Sequence, residues 1–339
     1  MNATLIFNPA AGQREVRDSL RRAVGRLVEA DWTVRWRETS PTINATALAR
    51  AAADEGSEIV IAAGGDGTIN EVINGIVGSP ARLGIMPVGT ANIWAIESGV
   101  ATAPPLLAQN LDRAVEVLLA GETVTIDLGR ADGRYFLLMA GIGFDALVTA
   151  LVEPQIKRRV GGLAYGWAAL KTVWSYRGTR ATIVVDGQEI RSRVVLITIS
   201  NSRLYAGLPL APDASLTDGL FDITVFTGHG WPAILRHTGL VVLGSHVRAP
   251  EVMRRRGRRV DIETNEPLPV QVDAEPIGQT PMHFEVVPQI LRVIVPTQVA
   301  QQLLVSPHTE NAGRATNPPA PSASMLLLCC PARTSRRFS

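Results

Sequence analysis

The chain has little of several features that identify other protein classes. It contains only two cysteines, Cys329 and Cys330, and because they are adjacent they supply neither a spaced disulfide framework nor a zinc site. No uninterrupted apolar run approaches the ~20 residues that a membrane-spanning helix needs. The formal net charge of +2 is too small to indicate nucleic acid as a partner. The motif Gly-x-x-x-x-Gly-Lys-Ser/Thr is also absent, which excludes a P-loop.

What the sequence does contain is enough apolar material for a large core. Hydrophobic residues make up 46% of the 339 positions, which is sufficient for two domains. The first residues form neither a basic leader nor a long apolar stretch, so we expect no secretory signal and a cytoplasmic location. The sequence leaves open whether the protein is a monomer or a homodimer.

The order of apolar runs predicts two domains of different character. Residues 1–130 alternate strand-like and helix-like segments, which favours parallel strands joined by helical crossovers in a Rossmann-like α/β layer. Residues 131–288 carry alternating strands with hairpin signals such as Asp186-Gly187, so we expect a second, largely antiparallel β-sandwich domain. Residues 306–339 are rich in proline, serine, alanine and threonine, and this composition predicts a disordered tail.

The most informative stretch runs from Gly64 to Glu71. It places three glycines between a strand-like segment and a helix that opens near Thr68. Glycines let backbone N–H groups approach an anion closely, and the N-terminus of the helix adds the positive end of its dipole. Such a loop can cradle phosphate, although a glycine turn after a strand is also common as structural punctuation. We predict that the cradle comprises Gly64, Gly65, Asp66, Gly67, Thr68, Asn70 and Glu71.

This stretch resembles the nucleotide-binding signature of the diacylglycerol kinase catalytic-domain family, which includes sphingosine kinases and bacterial lipid kinases. NAD kinases and phosphofructokinases share the Gly-Gly-Asp-Gly core. The motif alone therefore implies ATP-dependent phosphoryl transfer to a hydroxyl without identifying that hydroxyl. The resemblance also implies that residues 131–288 form the acceptor domain and that residues 289–305 return to pack on the first domain.

Further segments in the family's order strengthen the resemblance. The run PVGTAN after the next strand is similar to a second glycine motif, in which the threonine touches the nucleotide phosphates and the asparagine orders the loop. The resemblance thus implies nucleotide contacts at Gly89, Thr90 and Asn92, although a turn with a helix cap would explain the same run. It implies further contacts at Asn8, in an opening Asn-Pro-x-x-Gly loop, and at Thr39.

One position departs from the family pattern. The family continues after this asparagine with Asp-Phe-Ala, whereas this chain has Ile93 followed by Trp and Ala. In several relatives that aspartate joins the acidic network that organises magnesium, and an isoleucine can neither bind a cation nor accept a proton. Either another acid, such as Asp66 or Asp127, takes over, or metal handling is weaker. We include Asp66 among the expected catalytic residues.

A segment around Asp218 is similar to the family's Asp-Gly-Leu motif in the second domain. There one carboxylate and neighbouring backbone carbonyls bind magnesium, a ligand set that suits a hard cation. The resemblance implies a magnesium site at Asp218 with carbonyl groups of Ser215 and Leu220. Without the resemblance, Asp-Gly is more simply interpreted as a turn before a strand.

The run Asp273-Ala274-Glu275-Pro276 is similar to the family's Asp-Gly-Glu-Pro, with Ala274 in place of glycine. The resemblance implies that Glu275 is the general base, which takes the proton of the acceptor hydroxyl as the γ-phosphoryl group arrives. From the residues alone, an acid at the edge of a hairpin would be the simpler interpretation.

These motifs lead to one expectation and two alternatives. We expect a lipid kinase that uses ATP and Mg²⁺ and acts on diacylglycerol or a related lipid at the inner membrane surface, without a nucleic-acid partner. A helical apolar stripe over residues 156–174, flanked by basic residues, is a candidate membrane contact, but we favour a core-facing helix. The alternatives are an NAD-kinase-like phosphotransferase and a non-catalytic regulator that binds nucleotide or lipid.

Overall fold

The structure is a computed structural model and describes residues 1–9, 14–89, 92–101, 111–152, 174–205 and 207–304. Met1–Ser306 forms one compact unit. The predicted tail and most of the predicted helical stripe lie outside the described residues.

The first lobe is built on four parallel strands. They are β1 (Asn2–Phe7), β2 (Thr33–Glu38), β3 (Ile59–Gly64) and β4 (Arg82–Pro87). In space they follow the order β4-β3-β1-β2, and each neighbouring pair is parallel. The connecting helices are α1 (Arg14–Glu29), α2 (Ala45–Asp54), α3 (Asp66–Ile76), α4 (Ile93–Glu97) and α5 (Asp112–Ala120). Spacings of three and four residues bury Leu20, Ala23 and Leu27 on one face of α1, as an amphipathic helix requires.

The second lobe consists mainly of antiparallel strands. They are β5 (Glu122–Ala131), β6 (Arg134–Phe136), β7 (Met139–Gly143), β8 (Thr179–Val185), β9 (Gln188–Ser200), β10 (Leu204–Tyr205), β11 (Leu208–Pro209), β12 (Phe221–Thr227), β13 (Val252–Gly257), β14 (Arg259–Thr264), β15 (Pro269–Val272), β16 (Glu275–Gln279) and β17 (Met282–Val295). The remaining helices are α6 (Phe144–Val152), α7 (Gly230–Val242) and α8 (Thr297–Leu304), with a 3₁₀ turn at His246–Arg248. The predicted hairpin turn joins β8 to β9.

One long strand, β17, belongs to both lobes. Its first part pairs antiparallel with β14, and on its other side both its first part and its last part, Leu291–Val295, pair antiparallel with β5. Two residues of that last part also pair in parallel with β4. The register shifts between Val287 and Leu291, where Gln289 has a left-handed backbone with φ of 48°. This irregularity lets one strand serve both lobes, so that a single sheet runs through the molecule.

The predicted fold class is confirmed: a parallel α/β lobe precedes an antiparallel, sandwich-like lobe. The exact domain boundaries stay predictions. Among the described residues, none of the helices combines the length and apolar character that crossing a bilayer requires.

Candidate active site

The parallel strands of the first lobe end at a common edge of the sheet. The registers place Phe7 of β1 beside Ala63 of β3, and Gly64 of β3 beside Pro87 of β4. The segments that follow these strands and β2 carry the predicted nucleotide contacts: Asn8, Thr39, Gly65 and Gly89 in loops, and Asp66, Gly67 and Thr68 in the first turn of α3. Because open α/β sheets bind ligands beyond the carboxyl ends of their strands, this edge is the candidate site.

The first glycine loop joins β3 to α3, and its first glycine leaves no room for a side chain. A β-carbon on Gly64 would overlap the buried side chain of Thr68. Thr68 Oγ1 accepts a hydrogen bond from Asn8 Nδ2 at 3.4 Å, which ties this loop to the one after β1. The N-cap of α3 is Gly65, which has no side chain to bond the first N–H groups of the helix. This is the arrangement with which helix ends bind anions.

The second glycine loop packs directly on the first. A β-carbon on Gly89 would lie 2.5 Å from Gly65 Cα, so only glycine fits there. Asn92 has a left-handed backbone with φ of 48°, and its Nδ2 donates to Gly89 O at 2.9 Å. Asn92 is fully buried, yet its Oδ1 has no hydrogen-bond partner within the part of the chain that the structure describes. Thr90 lies outside the described residues, so its phosphate contact stays a prediction.

Asp66 connects the two glycine loops. Its carboxylate oxygens accept hydrogen bonds from the backbone amides of Ile93 and Trp94 at 3.0 and 3.1 Å. These are the first amides of α4, so Asp66 caps that helix from the first turn of α3. Burial raises the pKa of Asp66, and the backbone hydrogen bonds oppose this shift. The carboxylate therefore positions the second loop, and its direct catalytic role stays a prediction.

The last two polar residues of the motif bind other parts of the protein. Asn70 is buried, and its Nδ2 donates to Asp273 Oδ2 at 2.7 Å and to Tyr135 O at 3.1 Å. Glu71 Oε2 accepts a hydrogen bond from Ala45 N at 2.7 Å, at the start of α2. Asn70 thus fastens α3 to the second lobe, and Glu71 fastens it to α2. Their nucleotide contacts stay predictions.

Glu275 of the second lobe faces the first glycine loop. A β-carbon on Gly67 would lie 3.4 Å from Glu275 Oε1, which is van der Waals distance. The other carboxylate oxygen forms an ion pair with Arg134. Burial is the largest effect on the pKa of Glu275 and raises it; Arg134 lowers it, and the charges of Glu71 and Asp273 raise it. The structure thus brings a half-buried carboxylate with an elevated pKa against a glycine loop of the other lobe.

Sequence reasoning missed two residues that build this arrangement, Arg134 and Asp273. Arg134 contacts Glu275 and also donates through Nη2 to Asn70 Oδ1 at 3.1 Å. Asp273 is buried and accepts hydrogen bonds from the amides of residues 137–139 at 2.7 to 3.1 Å, besides the one from Asn70. Asp273 occupies a left-handed turn position, which aspartate tolerates, and this was an available signal. Arg134 carried no signal, because Glu275 lies 141 residues away in sequence.

An apolar cavity in the second lobe has a polar wall that leads to the Glu275 turn. Its volume is about 220 Å³. Its apolar walls include Phe144, Leu196, Phe226, Ile234 and Val241. Among its polar residues is Asp145, whose carboxylate accepts hydrogen bonds from the Tyr205 hydroxyl and, at 2.6 Å, from Gln271 Nε2. Gln271 Oε1 accepts from Ala274 N at 2.7 Å, so one buried side chain links the cavity wall to the residue before Glu275.

The predicted magnesium residues lie on a loop with protein partners of its own. Asp218 forms an ion pair with Arg256, and its Oδ1 accepts from Leu220 N at 3.1 Å. Ser215 Oγ lies 3.3 Å from Thr217 Oγ1. Within the described residues, no three or more His, Cys, Asp or Glu side chains are grouped to hold a metal ion. An arginine on the only carboxylate of the predicted ligand set suits a divalent cation poorly, and the magnesium assignment stays a prediction.

Comparisons with known proteins agree on both lobes. A model described as the diacylglycerol kinase catalytic domain matches residues 2–131, and one described as the YegS C-terminal NAD kinase beta sandwich-like domain matches residues 139–295. The diacylglycerol kinases of Bacillus subtilis and Staphylococcus carnosus are each 29% identical to the chain, covering 89% of it and 98% of their own length. A crystal structure of a Bacillus anthracis protein assigned as a diacylglycerol kinase is 25% identical, with a TM-score of 0.71 over 88% of this chain and 98% of that one.

Proposed function

Because the chain belongs to the diacylglycerol kinase catalytic-domain family, we propose that it is a lipid kinase that transfers the γ-phosphoryl group of ATP to a lipid hydroxyl. The acceptor is diacylglycerol or a related lipid, which the enzyme reaches from the cytoplasm at the inner membrane surface. The observation that carries the proposal is the position of Glu275 Oε1 beside Gly67, where a β-carbon on the glycine would be 3.4 Å away.

The nucleotide end of the site uses backbone groups rather than a lysine. The N-terminus of α3 and the glycine loops present amides and a positive dipole end to the phosphates. Asp66 and Asn92 keep the two loops together through their hydrogen bonds to backbone groups. Mg²⁺ bound to ATP would supply neutralisation of the phosphate charge that develops on the leaving oxygen. The chain itself contributes positioning, which supplies much of the catalysis in phosphoryl transfer.

Glu275 is the general base in this proposal. As the acceptor oxygen forms its bond to the γ-phosphorus, its proton passes to a carboxylate oxygen of Glu275, while the bond to the β,γ-bridging oxygen breaks and ADP leaves. Partial burial raises the pKa of Glu275, which makes its ionised form a stronger base. Arg134 holds the carboxylate and limits this rise.

The cavity supports a lipid as the acceptor. Its walls are mostly apolar, which suits a hydrocarbon chain and not the polar adenosine ribose of NAD. Through Asp145 and Gln271, its polar side is hydrogen-bonded to the turn that precedes Glu275. In this proposal the acyl chain occupies the cavity and the head group lies outside it, at the base.

The test measures phosphate transfer from labelled ATP, with Mg²⁺, to a panel of diacylglycerol, phosphatidylglycerol, sphingoid bases, polyprenols and NAD. We expect a phosphorylated lipid, and Glu275→Gln should reduce kcat by about 10²- to 10⁴-fold while ATP binding, measured by calorimetry, persists. Glu285→Gln is the matched control, because Glu285 forms a similar ion pair with Arg130 on another strand. Equal activity of both variants would remove Glu275 from the mechanism.

The same panel separates the two alternative functions. Phosphorylated NAD without a lipid product would indicate the NAD-kinase-like activity. This alternative is retained because the family model that matches the second lobe is described as NAD kinase beta sandwich-like. Nucleotide binding without any product would select a regulator. In that case Ile93, which replaces the family's aspartate, would be the first residue to change.

A further inference from the structure

Asp218 belongs to a charged cluster between two paired strands. β12 and β13 are antiparallel, and Asp222 lies directly opposite Arg256 in their register. Arg256 contacts Asp218 through Nη2, and its Nε lies 3.2 Å from Asp222 Oδ2. One guanidinium therefore joins a carboxylate of the loop to a carboxylate of the strand.

Two guanidinium groups are the cationic partners of Asp218 and Asp222, while the neighbouring carboxylate of Asp127 bonds backbone amides. The side chains of Asp218 and Asp222 are only 12% and 4% exposed, so their charges need partners within the protein. Arg254 supplies a second guanidinium, 3.5 Å from Asp222 Oδ1 and 2.8 Å from Asp213 Oδ2. Asp213 is 66% exposed, so water solvates much of its charge. Two shielded carboxylates thus face two guanidinium groups.

The loop has further anchors that also need no ion. The buried carboxylate of Asp127 accepts hydrogen bonds from Gly219 N at 2.7 Å and from Gln289 N at 2.8 Å. Thr217 Oγ1 donates to Leu303 O at 2.9 Å. These bonds tie the loop to β5, to the bend of β17 and to α8.

A divalent cation would have to displace this arrangement. Mg²⁺ requires about six oxygen ligands in near-octahedral geometry, and a guanidinium on Asp218 would repel it at short range. We propose that Arg256 takes the place of a divalent cation at Asp218, so that this loop keeps its structure without metal. The proposal concerns this loop and is separate from the Mg²⁺ that accompanies ATP, so it stands or falls independently of the proposed function.

The test compares thermal unfolding of the full chain in EDTA and in millimolar MgCl₂, at equal ionic strength and without nucleotide. We expect the same wild-type Tm in both, and elemental analysis should find no stoichiometric divalent metal in the dialysed protein. Arg256→Gln should lower the Tm by a few degrees already in EDTA. Arg255→Gln is the control, because Arg255 is an exposed neighbour on β13 whose guanidinium donates to the backbone oxygen of Arg254.

Two results would overturn the proposal. One is a divalent ion bound at one equivalent per chain, or a wild-type Tm that rises with Mg²⁺. The other is an Arg256→Gln variant as stable in EDTA as Arg255→Gln. Asp218→Asn keeps the test decisive if Arg256→Gln does not fold. We expect it to lower the Tm equally in EDTA and in Mg²⁺, whereas a metal site requires the loss to occur in Mg²⁺ only.

Discussion

Replacing Asp273 by asparagine perturbs the connection between the two lobes without changing side-chain size. The carboxylate is 6% exposed, and its Oδ2 accepts hydrogen bonds from Leu137 N and Asn70 Nδ2, both at 2.7 Å. Its Oδ1 accepts from Leu138 N and Met139 N at 2.8 and 3.1 Å. An asparagine carries one acceptor oxygen and one NH₂ group, which only donates. In either orientation of the amide, two buried donors would therefore face a donor.

The magnitude follows from the two lost acceptors. Each donor left buried without a partner costs about 1–3 kcal/mol, so the pair costs about 2–6 kcal/mol. This loss is a large part of the free energy of unfolding of a typical protein, which is about 5–15 kcal/mol. Asn70 cannot relieve the loss by turning its own amide, because its Oδ1 already accepts from Asn74 Nδ2 and Arg134 Nη2, both at 3.1 Å.

The assay is urea unfolding followed by far-UV circular dichroism, with Asp261→Asn as the control. Asp261 is 58% exposed and pairs with His283 at 2.7 Å, and such surface pairs contribute about 0–1 kcal/mol. The reasoning is refuted if Asp273→Asn loses no more stability than this control. In the protein that remains folded, kcat should fall more than the KM for ATP changes, because Asp273 lies two residues before Glu275.

Four further predictions concern the same site. The rate of phosphoryl transfer should fall as pH decreases through the pKa of Glu275, because the base must be ionised. Burial raises this pKa above its ordinary value of 4.5, so the acidic limb of the pH–rate profile should lie above that pH. Arg134→Gln should move the limb to higher pH, since Arg134 lowers that pKa; a shift to lower pH in the kcat/KM profile would contradict the assignment. Gly89→Ala should abolish activity and lower the Tm, because its β-carbon would meet the backbone of Gly65; normal ATP binding by calorimetry would argue against this contact. Ala274→Gly should raise the free energy of unfolding by up to about 1 kcal/mol, because Ala274 has φ of 67°, a conformation that is costly for residues with a β-carbon. A lower denaturation midpoint for this variant would show that the backbone at Ala274 is not strained.

Much of the fold could be predicted because its signals are local. The spacing of Leu20, Ala23 and Leu27 indicates a helix face, and the apolar run before Gly64 indicates a buried strand. Alternation of such segments predicts parallel strands, whose carboxyl ends must share an edge. The predicted hairpin at Asp186-Gly187 followed from turn chemistry in the same way.

The candidate site likewise contains some residues that local sequence signals predict and others that they do not. Gly64, Thr68 and Gly89 could be placed together from the sequence, because they lie near the ends of elements whose type is locally determined, and the family resemblance added Asn8. The polar residues inside α3 were harder. Asn70 was expected at the nucleotide; its amide nitrogen bonds the second lobe, because a helical side chain faces what packs beside it, and its nucleotide contact stays a prediction.

The sequence by itself determined the α/β layer, the antiparallel lobe that follows it and the glycine loops. The reason is that the backbone freedom of glycine and the spacing of apolar residues act between near neighbours in the chain. Only the tertiary structure decided which charges meet. Arg134 forms an ion pair with Glu275, and Arg256 with Asp218, although 141 and 38 residues of chain separate the partners. Such pairs depend on the register of strands that are far apart in sequence, and no local pattern encodes that register.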